Sequence, residues 1–114
     1  MQSCDMEHFK EAARDAEKSM RGVFERTPLQ KNEHLSAIYG ADIWLKREDL
    51  SPVRSYKLRG AFNSMRKQQK NKLFVAASAG NHAQGVAYMC KHFGVNGTIF
   101  MPVTTPKQKI QKTE

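Results

Sequence analysis

Apolar residues recur at helical steps along the first part of the chain. Met6, Phe9, Ala13, Ala16 and Met20 lie three or four positions apart, with acids toward the start, Lys18 and Arg21 near the end and Gly22 beyond. The spacing predicts an amphipathic helix over residues 5–21. Thr27-Pro28-Leu29 interrupts helix, because proline crowds the helical geometry of the residue before it, and an extended segment into Gln30 follows. A short helix over 32–39, stopped by Gly40, leads into Asp42-Ile43-Trp44-Leu45-Lys46, which reads as a strand, and 47–53 reads as a loop. From Ser55, a residue type suited to an N-cap, Leu58, Ala61, Phe62 and Met65 mark the apolar stripe of a third helix over 55–67. The polar stretch Arg66 to Lys72 reads as its frayed end and a linker. Leu73 to Ala77 is a short apolar strand, Ser78 to Asn81 a turn, and the next helix sets Ala83, Val86, Ala87, Cys90 and Phe93 on one face before Gly94 ends it. Residues 97–101 read as a further strand, after which Thr104-Thr105-Pro106 opens a last helix.

This alternation predicts an α/β fold, a parallel open sheet with flanking helices. A helix just begun, with no closing strand after it, resembles an open sheet cut through the middle. The chain is therefore expected to be the front portion of a larger α/β protein.

Length and composition sharpen this. By length alone, 114 residues make one domain at most. Leu, Ile, Val and Phe supply 22 of the 114, a thin core that six methionines supplement. No apolar run approaches the roughly 20 residues of a spanning helix, and Met1-Gln2-Ser3-Cys4-Asp5 opens no secretory signal, so a cytoplasmic protein without membrane contact is expected. Cys4 and Cys90 stand far apart with no Cys-x-x-Cys companion, which supports neither a disulfide framework nor a metal site. The net charge of +8 raises a rival reading, a non-catalytic module that binds nucleic acid through Arg66, Lys67, Lys70, Lys72, Lys107, Lys109 and Lys112. No aromatic residues interleave these clusters and no recognition motif accompanies them, so solvated faces explain them more simply and no nucleic-acid partner is expected.

Two places could carry chemistry. Lys57 stands at the start of its helix, and its neighbours at i+3, i+4 and i+7 are Gly60, Ala61 and Ser64, all small. That leaves room above the amine for a flat cofactor whose aldehyde could form a Schiff base with it, although an exposed lysine on an ordinary helix has the same spacing. The second place is Ser78-Ala79-Gly80-Asn81-His82-Ala83-Gln84-Gly85, where an apolar strand meets a helix. Open α/β sheets place ligands there, and the unpaired N–H groups of the helix start suit a carboxylate or phosphate. The plainer reading, that Ser78 or Asn81 only caps the helix, is equally consistent with the spacing. His82 has no nucleophile and acid spaced as a triad, and so reads as shaping the loop. Lys46, Arg47, Glu48 and Asp49 fit either a solvated strand end or a site wall.

Taken together, Lys46-Arg47-Glu48-Asp49-Leu50, Ser55-Tyr56-Lys57-Leu58-Arg59-Gly60-Ala61 and Ala77 through Gly85 resemble the serine/threonine dehydratase family of pyridoxal-phosphate enzymes, of the tryptophan-synthase-β-like fold, also called fold type II. Thr27-Pro28-Leu29 upstream and Met101-Pro102 through Thr105-Pro106 downstream are similar in the same order, so the resemblance spans about residues 20–112, and its wording is nearest the threonine-directed members. It implies pyridoxal 5'-phosphate as cofactor, held by Lys57, whose freed amine then takes the Cα proton of the substrate. It implies that Asn81 bonds the phenolic oxygen of the ring, that Ser78, Ala79, Gly80 and His82 hold the substrate carboxylate, and that Tyr56, where the family often has Phe, packs near the cofactor. The implied activity is the dehydration and deamination of L-threonine to 2-oxobutanoate and ammonia, the entry to isoleucine synthesis. A serine dehydratase or serine racemase of the same fold is the alternative. Residues 1–72 would begin the large cofactor-binding domain and 73–114 the smaller mobile one, in an enzyme that is a homo-oligomer at full length. The family's glycine-rich phosphate loop and its Ser or Cys partner for the ring nitrogen are not in this sequence, and the stretch between Lys57 and Asn81 is short for the family. The chain alone is thus expected to be inactive.

Overall fold

The computed structural model describes residues 5–68 and 72–114. Helix α1 covers Met6–Met20, with the Asp5 carboxylate accepting a hydrogen bond from the Glu7 N–H at 3.1 Å. Only its second half is covered. Ala16 and Met20 are buried against α3, while Met6 and Phe9 of the same predicted stripe remain exposed, because α3 (Lys57–Met65) reaches only the last turns of α1.

Strand β1 (Leu29–Lys31), helix α2 (Glu33–Tyr39) and strand β2 (Trp44–Lys46) follow. Asn32 caps α2 by accepting from the Leu35 N–H at 2.8 Å, and Gly40 ends it in the left-handed conformation at φ 58°. Here the structure corrects one expectation: β2 does not extend a parallel sheet but pairs antiparallel with β1, Leu29 opposite Lys46 and Lys31 opposite Trp44. The reason is local. The Asn32 N–H donates to the Ile43 carbonyl at 2.8 Å, so the connection returns to the point it left and β2 must run back along β1.

A single 3₁₀ turn, Glu48–Leu50, lies in the predicted loop ahead of α3. Ser55 does not cap that helix, a second correction. Its N–H instead donates to the Ser51 hydroxyl, which donates in turn to the Ser55 carbonyl, closing a tight turn with Arg54 at φ 57°. Tyr56 occupies the cap position without a side-chain bond, and the Ser55 hydroxyl is buried with no partner.

Strand β3 (Phe74–Ala77), helix α4 (Asn81–Phe93) and strand β4 (Gly97–Phe100) form the parallel unit that the alternation predicts, in register from Phe74 opposite Gly97 to Ala77 opposite Phe100. A short α5, Lys107–Gln111, follows β4. Helix α4 covers one face of the two strands, burying Ala76, and leaves Val75 and Phe100 on the open face. It approaches β4 closely: a Cβ at Gly97 would stand 2.6 Å from the Cys90 Sγ.

Helix α3 is the centre of the core. Leu58 is fully buried, as is Met89 of α4, which the predicted apolar face of that helix omits. Ala61, Phe62 and Met65 share one cluster with Ala76, Val86 and Cys90 on one side and Ala16, Met20 and Phe24 on the other, so the segments before and after residue 72 share their packing. Phe62 stacks on Phe93 with ring centroids 5.9 Å apart. No helix among the described residues is long and apolar enough to cross a membrane.

Candidate functional site

Lys57 is the first residue of α3, and the helix geometry places Gly60, Ala61 and Ser64 along the face it shares. Helix α4 and strand β3 supply the opposite wall, through His82, Val86, Phe74 and Val75. Together they enclose a cleft of about 380 Å³ with Lys57 and Tyr56 at its edge. The Lys57 Nζ lies 5.1 Å from the centroid of the Tyr56 ring, which is itself largely exposed, so solvent can serve the phenol. A larger hollow of about 710 Å³ lies between α4, β4 and α5, walled by residues such as Cys90, Ile99 and Ile110, and takes in none of the predicted site residues.

Of those residues, Tyr56, Lys57 and His82 thus border one cleft. Ser78 and Ala79 border a separate depression of about 400 Å³ past the ends of β3 and β4, with Phe100, Met101 and Pro102. The Ser78 N–H donates to the Phe100 carbonyl at 3.0 Å, which ties the loop to the strand ends, and the Ser78 hydroxyl accepts from the Gly80 N–H at 3.2 Å. Gly80 occupies the cap position of α4, and no side chain caps that helix, so neither Ser78 nor Asn81 serves as a cap. The first N–H groups of α4 are consequently left for another acceptor. Asn81 is exposed at the head of the helix, outside the lining of both hollows.

The charged run 46–49 resolves into two parts. Arg47 pairs outward with Asp49 through two hydrogen bonds of 2.9 and 2.7 Å. Glu48 turns inward and takes Arg59 of α3 in a forked pair, Nε to Oε2 at 2.9 Å and Nη2 to Oε1 at 2.8 Å, while the Thr27 hydroxyl donates to Oε1 at 2.5 Å. Lys46 donates to the Thr27 carbonyl. The Arg59 guanidinium holds the Glu48 carboxyl below the usual carboxylate range, outweighing the partial burial that pushes it up, and Glu48 in turn raises Arg59. Three distant motifs are thereby joined two residues from Lys57, an arrangement that sequence reading misses. Its signal was the presence of Thr27, Glu48 and Arg59 in motifs of fixed order.

Of the basic residues, Arg66 is engaged by Asp15 and Asn63, and the Arg66 hydrogen bond holds the Asp15 carboxyl below its usual range. Lys70 and Cys4 lie outside the described residues. Cys90 is buried, and burial pushes its thiol up.

The profile of the pyridoxal-phosphate dependent enzyme family matches residues 20–114. The L-threonine dehydratase biosynthetic IlvA of Bacillus subtilis is 53% identical over 102 residues, covering 87% of this chain and 24% of that protein. Its namesake in Corynebacterium glutamicum is 57% identical over 97 residues, covering 82% of this chain and 22% of that protein. Among solved structures, the processed form of threonine deaminase isoform 2 from Solanum lycopersicum superposes with a TM-score of 0.84 at 37% identity, over 96% of this chain and 31% of that one. Maize serine racemase gives the same TM-score at 28% identity, over 90% and 32%. The chain therefore spans about a quarter of the length of the curated relatives it matches.

Proposed function

Because the chain belongs to the pyridoxal-phosphate dependent enzyme family, we propose that it supplies the lysine and the substrate loop of a threonine dehydratase that converts L-threonine to 2-oxobutanoate and ammonia. The observation that carries this reading is the cleft beside Lys57. Gly60 lines it in mid-helix, and a Cβ built there would meet nothing within 4 Å. Glycine in a helix interior costs roughly 0.5–1 kcal/mol relative to alanine, and here no packing contact or special backbone angle accounts for it. Open space above an amine does account for it, and a planar pyridine ring fits such a space.

In this reading the cofactor supplies the electron sink for carbanion chemistry. Lys57, at the edge of the cleft, would hold it through Nζ and would then be the base for the substrate Cα proton. Asn81, adjacent in the chain to His82 of the cleft wall, would offer its side-chain amide to the phenolic oxygen of the ring. Ser78, Ala79, Gly80 and His82, with the uncapped N–H groups of α4, receive the substrate carboxylate. Tyr56 shields the edge of the cleft. We assign residues 1–72 to the larger, cofactor-binding part and 73–114 to the smaller, mobile part, in a cytoplasmic homo-oligomer acting on a free amino acid. The names of the relatives at 53–57% identity favour threonine over the serine-directed alternative.

Reductive trapping tests the assignment. Pyridoxal phosphate followed by borohydride should label Lys57 ahead of the other lysines on a peptide map, and L-threonine should lower that label more than D-threonine does. L-serine in the same assay measures the alternative. Label spread evenly over the lysines would refute the reading.

A further inference from the structure

Two glycines flank the site, and they differ in what surrounds them. Around Gly60 there is open space, whereas a Cβ added at Gly85 of α4 would come within 3.2 Å of the Lys57 carbonyl oxygen, 3.3 Å of its carbonyl carbon and 3.5 Å of the Leu58 nitrogen. Gly85 is buried, and the atoms it faces are backbone. A side chain in that position could rotate aside; the first peptide of a helix moves only with its helix. Tyr56 caps α3 with no side-chain bond, so no cap fixes the first peptide of the helix, although buried Leu58 and the Ser51–Ser55 turn anchor the residues on either side of it. The Glu48–Arg59 pair secures the same helix from its other neighbour.

We propose that Gly85 is a positioning residue for Lys57: by letting the α4 backbone rest against the Lys57–Leu58 peptide, it sets where the lysine amine stands in the cleft. The inference rests on the reading of Lys57 as the lysine that bonds the cofactor. It gives a mechanical purpose to the glycine that closes the 78–85 motif, which lies inside α4 and not in a turn. A methyl at residue 85 drives the Lys57 peptide away by a few tenths of an ångström, and the displacement is passed to Nζ at the end of a four-carbon stem.

The test compares wild type with Gly85→Ala, Gly85→Ser and Met89→Val by reductive trapping with pyridoxal phosphate, read as label at Lys57 relative to exposed Lys10 and Lys107 below every melting midpoint. Met89 is fully buried on the same helix and lies outside the cleft lining, so its variant reports lost packing alone. Both Gly85 variants should lower the Lys57 preference about fivefold, as small misplacements of a reacting group do, and shift the amide resonances of Lys57 and Leu58. Met89→Val should lower the melting point and leave the preference within about twofold. Three results overturn the proposal: an unchanged preference in the Gly85 variants, an equal loss in Met89→Val, or loss of a cooperative melt in both Gly85 variants, which would make Gly85 a residue of the whole fold. Even labelling in wild type removes the Lys57 reading and the proposal together, whereas retained preference in Gly85→Ala removes the proposal alone.

Discussion

Replacing Glu48 with Gln keeps the size of the side chain and removes the charge that Arg59 and Thr27 are arranged around. The side chains of Glu48 and Arg59 are 16% and 28% exposed, so the pair lies between the buried and surface limits. Breaking a fully buried pair costs about 3–5 kcal/mol and an exposed one at most about 1, which places this loss near 2 kcal/mol. For a chain of 114 residues that corresponds to a fall of about 8 °C in melting temperature at neutral pH. The pH dependence carries the sharper signature. Glu48 titrates below its ordinary value because Arg59 bonds its carboxylate, so its contribution is whole above the unfolded pKa and fades as pH falls through the folded one. Circular-dichroism melts of wild type and Glu48→Gln should therefore differ most near pH 7 and converge in acid. A double-mutant cycle with Arg59→Gln should return a coupling of about 1–2 kcal/mol. A gap under about 2 °C at pH 7, or one that stays constant into acid, would refute the account of this network.

Gly60→Ala should stabilise the protein by about 0.5–1 kcal/mol in denaturant titrations while lowering cofactor labelling at Lys57, because the new methyl gains helix propensity and occupies the cleft. An unchanged label would show that the space is not used. Gly97→Ala should destabilise by about 1–3 kcal/mol, since the added Cβ stands 2.6 Å from the Cys90 Sγ, and Cys90→Ala in the same chain should restore most of the loss. No recovery in the double variant would place the strain elsewhere.

The helices were largely legible because each carries its signal within itself. Gly40 and Gly94 end α2 and α4 in the left-handed conformation that the sequence positions suggest, and Leu58, Ala61, Phe62 and Met65 form the buried stripe of α3 as their spacing implies. The space beside Lys57 was legible for the same reason, since Gly60, Ala61 and Ser64 are neighbours on one helix face. The expectations that failed concerned partners. Met6 and Phe9 have the right period but no helix opposite them, and Ser55 bonds back to Ser51 instead of capping α3. Met89 lies off the chosen stripe yet is fully buried, because α4 is covered on two sides, by α3 and by the strands.

The chain's own pattern was sufficient to establish where the helices and strands lie, which side chains share a face, and that a lysine with small neighbours heads α3. Those properties follow from backbone geometry acting over one or two turns. Three others depend on which elements meet: the antiparallel return of β2, the union of Thr27, Glu48 and Arg59, and the contact of Gly85 with the Lys57 peptide. Each joins residues from different elements, and no period within either element encodes the distance between them. That distance is set by side-chain packing around α3, which brings the start of the lysine helix against a glycine 28 residues further along the chain.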